Sequence, residues 1–233
     1  MNVSNRFAAV LSVFLFSAQA HAVEFSLTSG ALTPAAWGNT YSATAGALTL
    51  TASAWSSTGK HSAFETAALG LYGDAGLGVC NRDEGIQCVD NKLSHALDNK
   101  GADDLILFTF SRAVQLTSLT LAQFGGDSDL SLWAGTGPIN LDGMLPGALG
   151  SASLINNASS AGTIKRVALD SAFSGSYSWF AVAARLDQAD DFAMLRALTV
   201  EVPSVSMPVP EAETWTLLLA GLGLVWFAVR RRI

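Results

Sequence analysis

Closely spaced aspartates are the residues of this chain whose type and spacing suit chemistry. They occur as Asp103-Asp104, Asp127-Ser128-Asp129 and Asp190-Asp191. Two carboxyl groups that face each other across a cleft can hydrolyse a glycosidic bond. Aspartates are also common in solvated turns, and sequence spacing does not give the distance between two carboxylates. A secreted hydrolase that uses an aspartate pair, with Asp103 and Asp127 as test positions, is therefore one hypothesis.

Calcium binding is a second use for these aspartates. The segment Gly125 to Asp129 offers a D-x-D turn, and carboxylate oxygens are hard ligands that suit Ca²⁺. The segment does not match the D-x-[DN]-x-[DN]-G loop. Asp127 and Asp129 are therefore the candidate metal ligands, while the sequence predicts no required cofactor.

Nucleophilic catalysis has little support in the sequence. A serine or cysteine nucleophile needs a base beside it, and the histidines beyond His21 are only His61 and His95. No serine lies in a G-x-S-x-G segment. Both histidines are interpreted as surface or packing residues, and the protein is predicted not to be an enzyme.

Cys80 and Cys88 are the only cysteines. A near pair of this kind predicts a disulfide in an oxidising compartment. The alternative is a metal site of Cys80, Cys88 and His95, which lacks the C-x-x-C spacing and a fourth ligand. Export, which both ends of the chain indicate, favours the disulfide.

The N-terminus has the pattern of a secretory signal peptide, predicted over 1–22. Arg6 precedes an apolar run at 7–16, and small residues then fit an A-x-A site that ends at Ala20 or at Ala22. Cleavage at either residue releases an exported chain.

An uncharged run near the C-terminus predicts a transmembrane helix over 214–229. The run from Trp215 to Val229 has 15 residues and no proline. It spans roughly 23 Å as a helix, against a hydrocarbon core of about 30 Å. Positive residues stay on the cytoplasmic side of a membrane, so the body is expected on the other side. The predicted cytoplasmic anchor consists of Arg230, Arg231 and Arg232.

The charge of the body excludes one class of partner. Residues 23 to 205 carry nine Lys and Arg against 17 Asp and Glu, a formal charge of −8. An acidic surface repels nucleic-acid phosphates, so no nucleic-acid partner is expected. The length of this region suffices for one domain with its own core.

Short alternating runs dominate the body. They lie at 47–52, 105–110, 114–121, 130–133, 164–169, 177–182 and 195–202. Period-two runs separated by Gly, Asn, Asp and Ser clusters are typical of strands and turns. Many short strands without intervening helices favour an all-β fold, a β-sandwich. Trp133 and Trp179 lie in predicted strands and are expected in the core, whereas Trp37 and Trp55 are less constrained.

The tail resembles the PEP-CTERM protein-sorting tail of Gram-negative bacteria. The resemblance rests on Val209-Pro210-Glu211, the apolar run and the arginine cluster. The family's usual tripeptide is Pro-Glu-Pro, whereas this chain continues with Ala212. The resemblance implies that an exosortase recognises the tail and cuts near the motif, and that the protein accompanies exopolysaccharide and biofilm matrix. Pro210 and Glu211 are then positions read by another protein.

The body shows a second resemblance. Gly76 to Cys80, Asp98 to Gly101 and the run at 105–110 are similar to a sandwich ectodomain that recurs in PEP-CTERM proteins. This resemblance implies a jelly-roll-like sandwich with no assigned activity.

These observations predict four segments and one leading function. The segments are the signal peptide at 1–22, a β-sandwich ectodomain at 23–202, a Pro-rich linker at 203–209 and the sorting tail at 210–233. The leading hypothesis is an exported, non-enzymatic surface or extracellular-matrix protein. It crosses the inner membrane of a Gram-negative bacterium, is anchored by its C-terminus and reaches the surface or the medium after processing. Two alternatives stand beside it. One is a glycan-binding adhesin whose exposed tryptophans stack on a polysaccharide, and the other is the secreted hydrolase described above.

Overall fold

Antiparallel strand pairs make up most of the described chain, so the all-β prediction for the body is confirmed. The computed structural model describes residues 21–84, 95–123, 127–156, 164–169, 173–188, 190–203 and 212–231. The strands are β1 His21–Ser26, β2 Thr40–Ala45, β3 Leu48–Ser57, β4 Phe64–Thr66, β5 Ala68–Leu71, β6 Leu77–Cys80, β7 Leu97–Asp98, β8 Asp104–Gln123, β9 Leu130–Gly135, β10 Ser153–Ile155, β11 Ile164–Ala168, β12 Tyr177–Ala184 and β13 Phe192–Val202. Helix α1 spans Ala212–Arg230, and short 3-10 helices lie at Gly73–Ala75 and Pro146–Leu149.

The long strand β8 organises the sheet. It runs without interruption over 20 residues, although the sequence predicted two strands at 105–110 and 114–121. The hydrophobic pattern breaks at the exposed residues 111–113, but none of them is Gly or Pro. Nothing therefore forces a turn there, and the backbone stays extended across the break. The prediction of two separate strands is wrong.

The two parts of β8 carry different neighbours. Its N-terminal part pairs with β3 and β12, and with β2, β4, β9 and β10 these strands form a group that we call sheet I. Its C-terminal part pairs with β11 and β13. Together with β1, β5, β6 and β7, these strands form a second group, sheet II. Strand β8 belongs to both groups and links them into one continuous sheet.

The main hydrophobic core collects side chains from both groups. Phe25 of sheet II and Phe110 of sheet I lie with their ring centroids 6.2 Å apart in an edge arrangement. Phe180 of β12 is surrounded by Phe110, Phe173 and Tyr177, whose ring centroids lie 5.7 to 5.9 Å away in edge contacts. Edge contacts of this kind stabilise a core beyond the burial of the rings themselves.

A smaller core lies on the other face of sheet I. Adjacent strand residues point to opposite faces, so Phe108 lies in the main core and Leu107 in the smaller one. The smaller core includes Trp133 and is covered by Leu141 from the segment between β9 and β10. This segment is therefore part of the packed body where it is described.

Strand β6 passes very close to the chain at His95. A Cβ atom on Gly78 would lie 1.8 Å from the His95 carbonyl oxygen, so only glycine fits at this position. The His95 ring stacks on Tyr72 at a centroid distance of 4.8 Å. The approach holds β6 beside the segment that leads to Asp98 and Asp104.

Two compact units divide the chain. One unit covers Ala20–Pro203, and the other covers Met1–Gln19 with Ser204–Ile233. Strand β1 begins at His21, which pairs with Val202 of β13. Ala22, one of the predicted cleavage residues, therefore lies inside a paired strand.

Candidate functional site

Helix α1 in the tail begins one residue after Glu211 of the predicted motif. Its apolar side chains are exposed, with Leu217 73% and Leu224 71% accessible. The helix is apolar around its circumference and does not have one polar face. It therefore presents apolar surface on all sides. Helices of this kind are normally surrounded by other apolar groups.

Aromatic rings position the basic groups at the end of α1. The Arg230 guanidinium lies 5.1 Å from the centre of the Trp226 ring, and the Arg231 guanidinium lies 4.6 Å from the centre of the Phe227 ring. Cation–π attraction favours these contacts. Positive charge is also favourable at a helix C-terminus, so the sequence of the tail stabilises its own helix end.

The predicted transmembrane helix over 214–229 requires correction. Within the described ranges, no helix combines the length and the hydropathy needed to cross a membrane. The uncharged run from Trp215 to Val229 has only 15 residues, roughly 23 Å as a helix against a hydrocarbon core of about 30 Å.

Most of the predicted sorting and processing residues lie outside the described part of the chain. They are Val209, Pro210, Glu211 and Arg232, together with Ala20 of the signal peptide. Their assignments stay predictions, as does the anchor role of Arg230 and Arg231.

The structure places the two calcium candidates, Asp127 and Asp129, beside Asp191. One carboxylate oxygen of each lies within 4.8 Å of the others. Backbone hydrogen bonds create this neighbourhood, since the Asp127 N–H donates to the Asp190 carbonyl at 3.2 Å and the Phe192 N–H donates to the Asp127 carbonyl at 2.8 Å. We call Asp127, Asp129 and Asp191 the aspartate triad.

Hydrogen bonds within the protein satisfy the buried Asp191. Its Oδ1 accepts from the Asp129 backbone N–H at 3.0 Å, and its Oδ2 accepts from the Asn99 side-chain amide at 2.9 Å. Burial is the main cause that raises the pKa of Asp191 to about 6; the two hydrogen bonds lower this pKa, and the charges of Asp129 and Asp127 raise it. Asn99 also donates to the Arg185 carbonyl at 2.6 Å. Asp191 therefore ties the turn before β8 to the start of β13.

Arg185 supplies positive charge to the triad. Its Nη1 lies 3.3 Å from Asp129 Oδ2 and its Nε lies 2.5 Å from Asp187 Oδ1. The same guanidinium donates to the side-chain oxygen of Asn156. A buried carboxylate beside an arginine has its counter-charge within the chain. The calcium assignment for Asp127 and Asp129 stays a prediction.

The side chains of Asp103 and Asp104 lie in different environments. Asp103 Oδ2 accepts from the His61 backbone N–H at 2.6 Å and lies 3.1 Å from His61 Nδ1. Asp104 is buried, and neither of its carboxylate oxygens has a hydrogen-bond partner among the described residues. The two side chains therefore differ in chemistry, although they are adjacent in sequence.

His95 and the described cysteine occupy packed positions, whereas the His61 side chain lies at the surface. His61 contacts Asp103, and the buried His95 stacks on Tyr72. Cys80 is buried at the end of β6, but Cys88 lies outside the described residues. The disulfide and the alternative Cys-His metal site both stay predictions.

The tryptophans of the body differ in exposure. Trp133 is buried as expected, and its indole N–H donates to the Gly150 carbonyl at 3.0 Å. Trp179 was expected in the core but is only partly buried, and its ring lies against Gly135. Trp37 and Trp55 are also partly buried. Partly exposed indole rings are therefore present on the body.

One shallow cavity lies away from the aspartates. Its volume is about 490 Å³, and it opens on sheet II. The lining residues are Ala22, Thr117, Ser118, Arg166, Ala168, Thr199 and Glu201. No residue of the three aspartate pairs lines it, so this cavity does not join the predicted carboxylates into a cleft.

Sequence reasoning missed the partnership between distant acids. Asp191 was recognised only as a neighbour of Asp190, and Asp98 only as part of a resemblance. The signal that was available is the position of Asp98-Asn99 at the end of β7 and of Asp190-Asp191 directly before β13. Residues at strand ends gather at a sheet edge once the strands pair.

The β-rich body is followed by an apolar helix with arginines at its end. Residues 208–232 match the PEP-CTERM protein-sorting motif. The predicted resemblance of the tail is therefore confirmed, and the motif supports an exported protein that an exosortase targets. No curated protein matches the chain.

Proposed function

We propose that this protein is a non-enzymatic component of the cell surface or of an exopolysaccharide-rich extracellular matrix, to which an exosortase delivers it. The observation that carries the proposal is the sorting motif at residues 208–232, placed behind a β-rich body. In this proposal the tail is a processing signal, and the body is the part of the protein that is delivered.

The tail acts in this proposal as a substrate. Pro210 and Glu211 are the positions that the exosortase reads, and α1 follows them directly. The exposed apolar side chains of α1 and the basic end at Arg230 and Arg231 complete the recognition element. Cleavage near the motif after passage through the inner membrane of a Gram-negative bacterium frees the body at the surface or in the medium.

The side chains of the body support a non-enzymatic role. Asp191 is saturated by hydrogen bonds, Asp129 lies beside Arg185, and Asp103 is held by His61. A glycosidase needs two accessible carboxyls that face a substrate across a cleft. Three of the aspartates considered for hydrolysis instead hold the turns of the fold together.

The β-sandwich is the architecture that we propose for the body. Two observations support it: one core collects residues from sheet I and sheet II, and the Phe25 ring of sheet II touches the Phe110 ring of sheet I. Two sheets packed face to face bury one side of each strand, which is the arrangement of a sandwich. A rigid two-layer body of this kind suits a structural component of a matrix.

The sorting proposal is tested in the native host by changing one residue of the motif. We expect Glu211→Ala to prevent release, so the protein keeps its C-terminal arginines and stays in the cell fraction. Glu213→Ala removes an equal charge two residues away and serves as the matched control, which should be processed normally. Ala212→Pro restores the family's usual tripeptide and should be processed at least as well as the natural chain.

The readout is the distribution between cell and extracellular fractions, with the C-terminus identified by mass spectrometry. Release of Glu211→Ala at the level of the natural chain would contradict the proposed recognition. Equal processing in a strain that lacks its exosortase would contradict it as well.

A glycan-binding adhesin is the second candidate, because Trp179 and Trp55 are partly exposed. An indole ring at the surface can stack on a sugar ring. A panel of polysaccharides should then change the tryptophan fluorescence of the natural protein, and Trp179→Ala should remove the response. An unchanged spectrum across the panel would count against this candidate and leave the structural role.

A further inference from the structure

The shallow cavity on sheet II is lined by polar and small side chains. Three of the lining side chains carry a hydroxyl, two carry opposite charges and two are alanines. Its volume of about 490 Å³ lies within the range of about 300–1,000 Å³ that is usual for small-molecule sites. The composition of this surface therefore suits a ligand that forms many hydrogen bonds.

A β-bulge in β8 shapes the cavity. The register of β8 against β13 shifts between Thr199 and Val200, which leaves Thr117 without a pairing residue on β13. Consecutive residues of a regular strand point to opposite faces, but Thr117 and Ser118 both line the cavity. A bulge re-aims side chains in this way. Hydrogen bonds hold it on both sides, since the Thr117 hydroxyl donates to the Thr199 carbonyl at 3.1 Å and the Leu169 N–H donates to the Thr117 carbonyl at 2.8 Å.

Ser118 positions the one basic group of the cavity. Its hydroxyl oxygen, on a side chain that is buried, accepts from Arg166 Nε at 3.0 Å. Arg166 lies on β11 and forms no ion pair with any described residue. The two terminal nitrogens of its guanidinium therefore keep their hydrogen atoms for a ligand.

Two further polar groups of the cavity have unused hydrogen-bonding capacity. The Thr199 hydroxyl and the Glu201 carboxylate form no hydrogen bond or ion pair with a described residue. Glu201 lies on β13 and Arg166 on β11, and β8 runs between these two strands. Neighbouring strands are about 4.8 Å apart, so the backbones that carry the two charges are separated by about 10 Å. The two charges therefore leave space for a ligand that reaches both.

We propose that this cavity binds an uncharged sugar unit of a polysaccharide. The inference rests on the proposed matrix role, which brings the body into contact with such a polymer. A guanidinium only donates hydrogen bonds, a carboxylate only accepts them, and a hydroxyl does both. A sugar ring with neighbouring hydroxyls can satisfy all three kinds of group at once.

The charges of the cavity favour an uncharged ligand. Arg166 and Glu201 sum to zero, and an acidic sugar would be repelled by Glu201 as a basic one would be by Arg166. The alanines at Ala22 and Ala168 leave room for the C–H groups of a ring. Because the cavity is shallow and open, a polymer can continue beyond the bound unit.

The partly exposed tryptophans are the competing location. Trp55 and Trp179 pack against the smaller core of sheet I, so part of each ring is already covered by the protein. The cavity on sheet II includes neither of them. Variants of the two surfaces therefore separate the two modes of glycan binding.

The test uses the natural exported protein and polysaccharide purified from the native host, divided into a neutral and an acidic fraction. Affinity electrophoresis should show retention by the neutral fraction. Arg166→Ala should weaken this binding at least about tenfold, and the nearly isosteric Thr199→Val about threefold or more. Arg112→Ala removes an exposed arginine of β8 outside the cavity and should bind like the natural protein, as should Trp179→Ala.

Three results would overturn the proposal. The first is no retention by the neutral fraction, and the second is retention by the acidic fraction alone. The third is binding that persists in both cavity variants or is lost in Trp179→Ala instead. Melting temperatures show which variants are folded, and if Arg166→Ala is not, Glu201→Gln carries the same test. Release into the medium is measured separately, so normal release without glycan binding would refute this site and leave the sorting proposal standing.

Discussion

The contact between Phe25 and Phe110 gives a direct test of the proposed two-layer packing. Phe25 belongs to β1 in sheet II, Phe110 belongs to β8 in sheet I, and both rings are almost fully buried. If the two sheets pack face to face, replacing one ring should change the effect of replacing the other. A double-mutant cycle with Phe25→Leu and Phe110→Leu measures this coupling.

The expected magnitude follows from the geometry. The centroids lie 6.2 Å apart at an interplanar angle of 62°, which is an edge contact worth about 0.5–1.5 kcal/mol beyond area burial. Leucine keeps much of the apolar volume, so each single substitution should destabilise less than the 3–5 kcal/mol that is typical of Phe→Ala. Urea unfolding followed by circular dichroism gives each free energy of unfolding, and an unchanged m-value confirms that the comparison is valid.

A matched control uses Phe64, which is equally buried but belongs to the smaller core on the other face of sheet I. Phe25→Leu and Phe64→Leu should be additive within about 0.3–0.5 kcal/mol, because distant sites do not couple. A coupling between Phe25 and Phe110 that does not exceed this control value would refute the two-layer packing.

Three further predictions follow from the described contacts. The pKa of Asp191 is raised to about 6 in the folded protein, so its contribution to stability is fully present below about pH 4 and is lost as the pH rises through 6. This decline amounts to no more than about 3 kcal/mol. Thermal unfolding of Asp191→Asn in metal-free buffer at a series of pH values should show a smaller loss of stability between pH 4 and pH 6 than the natural protein. An unchanged dependence of stability on pH would contradict the raised pKa of Asp191. Gly78→Ala should lower the free energy of unfolding in urea by at least about 1–3 kcal/mol, because the alanine Cβ would collide with the His95 carbonyl. Gly147→Ala is the control and should be nearly neutral, because no atom lies within 4 Å of the added Cβ. N-terminal sequencing should find the mature chain beginning at His21, because a later start would remove paired residues of β1; a start two residues later would show that the first pairs of β1 are dispensable.

Features encoded locally were predictable from the sequence. The tail motif depends on the order of neighbouring residues, and the match at 208–232 agrees with it. The strands at 130–133, 177–182 and 195–202 followed from period-two alternation and lie within β9, β12 and β13. Alternation reports which side of a strand is buried, so it finds strands that have one polar face.

Features that depend on partners distant in sequence were not predictable. Asp129 and Asp191 are 62 residues apart and meet only because the chain before β9 runs beside the start of β13. Strand β1 was missed because its first residues fit a signal-cleavage site, and pairing with β13 decides its structure. The break in the pattern at 111–113 was read as the end of a strand, but β8 continues through it with an irregular register against β12.

The apolar run at the tail shows why composition alone was insufficient for one prediction. The absence of charge between Trp215 and Val229 suggested a membrane-spanning helix. Length and mean hydropathy together do not support a span in the described residues. The same residues form a helix and lie within the matched sorting motif.

The intact mass of the native protein, measured separately in the cell and extracellular fractions, tests the central claim most directly. The account predicts an extracellular or surface form that has lost its signal peptide and ends near Pro210 or Glu211, without the terminal arginines. A protein that keeps its full C-terminus in every fraction would contradict processing by an exosortase, and with it the proposed role as a delivered matrix component.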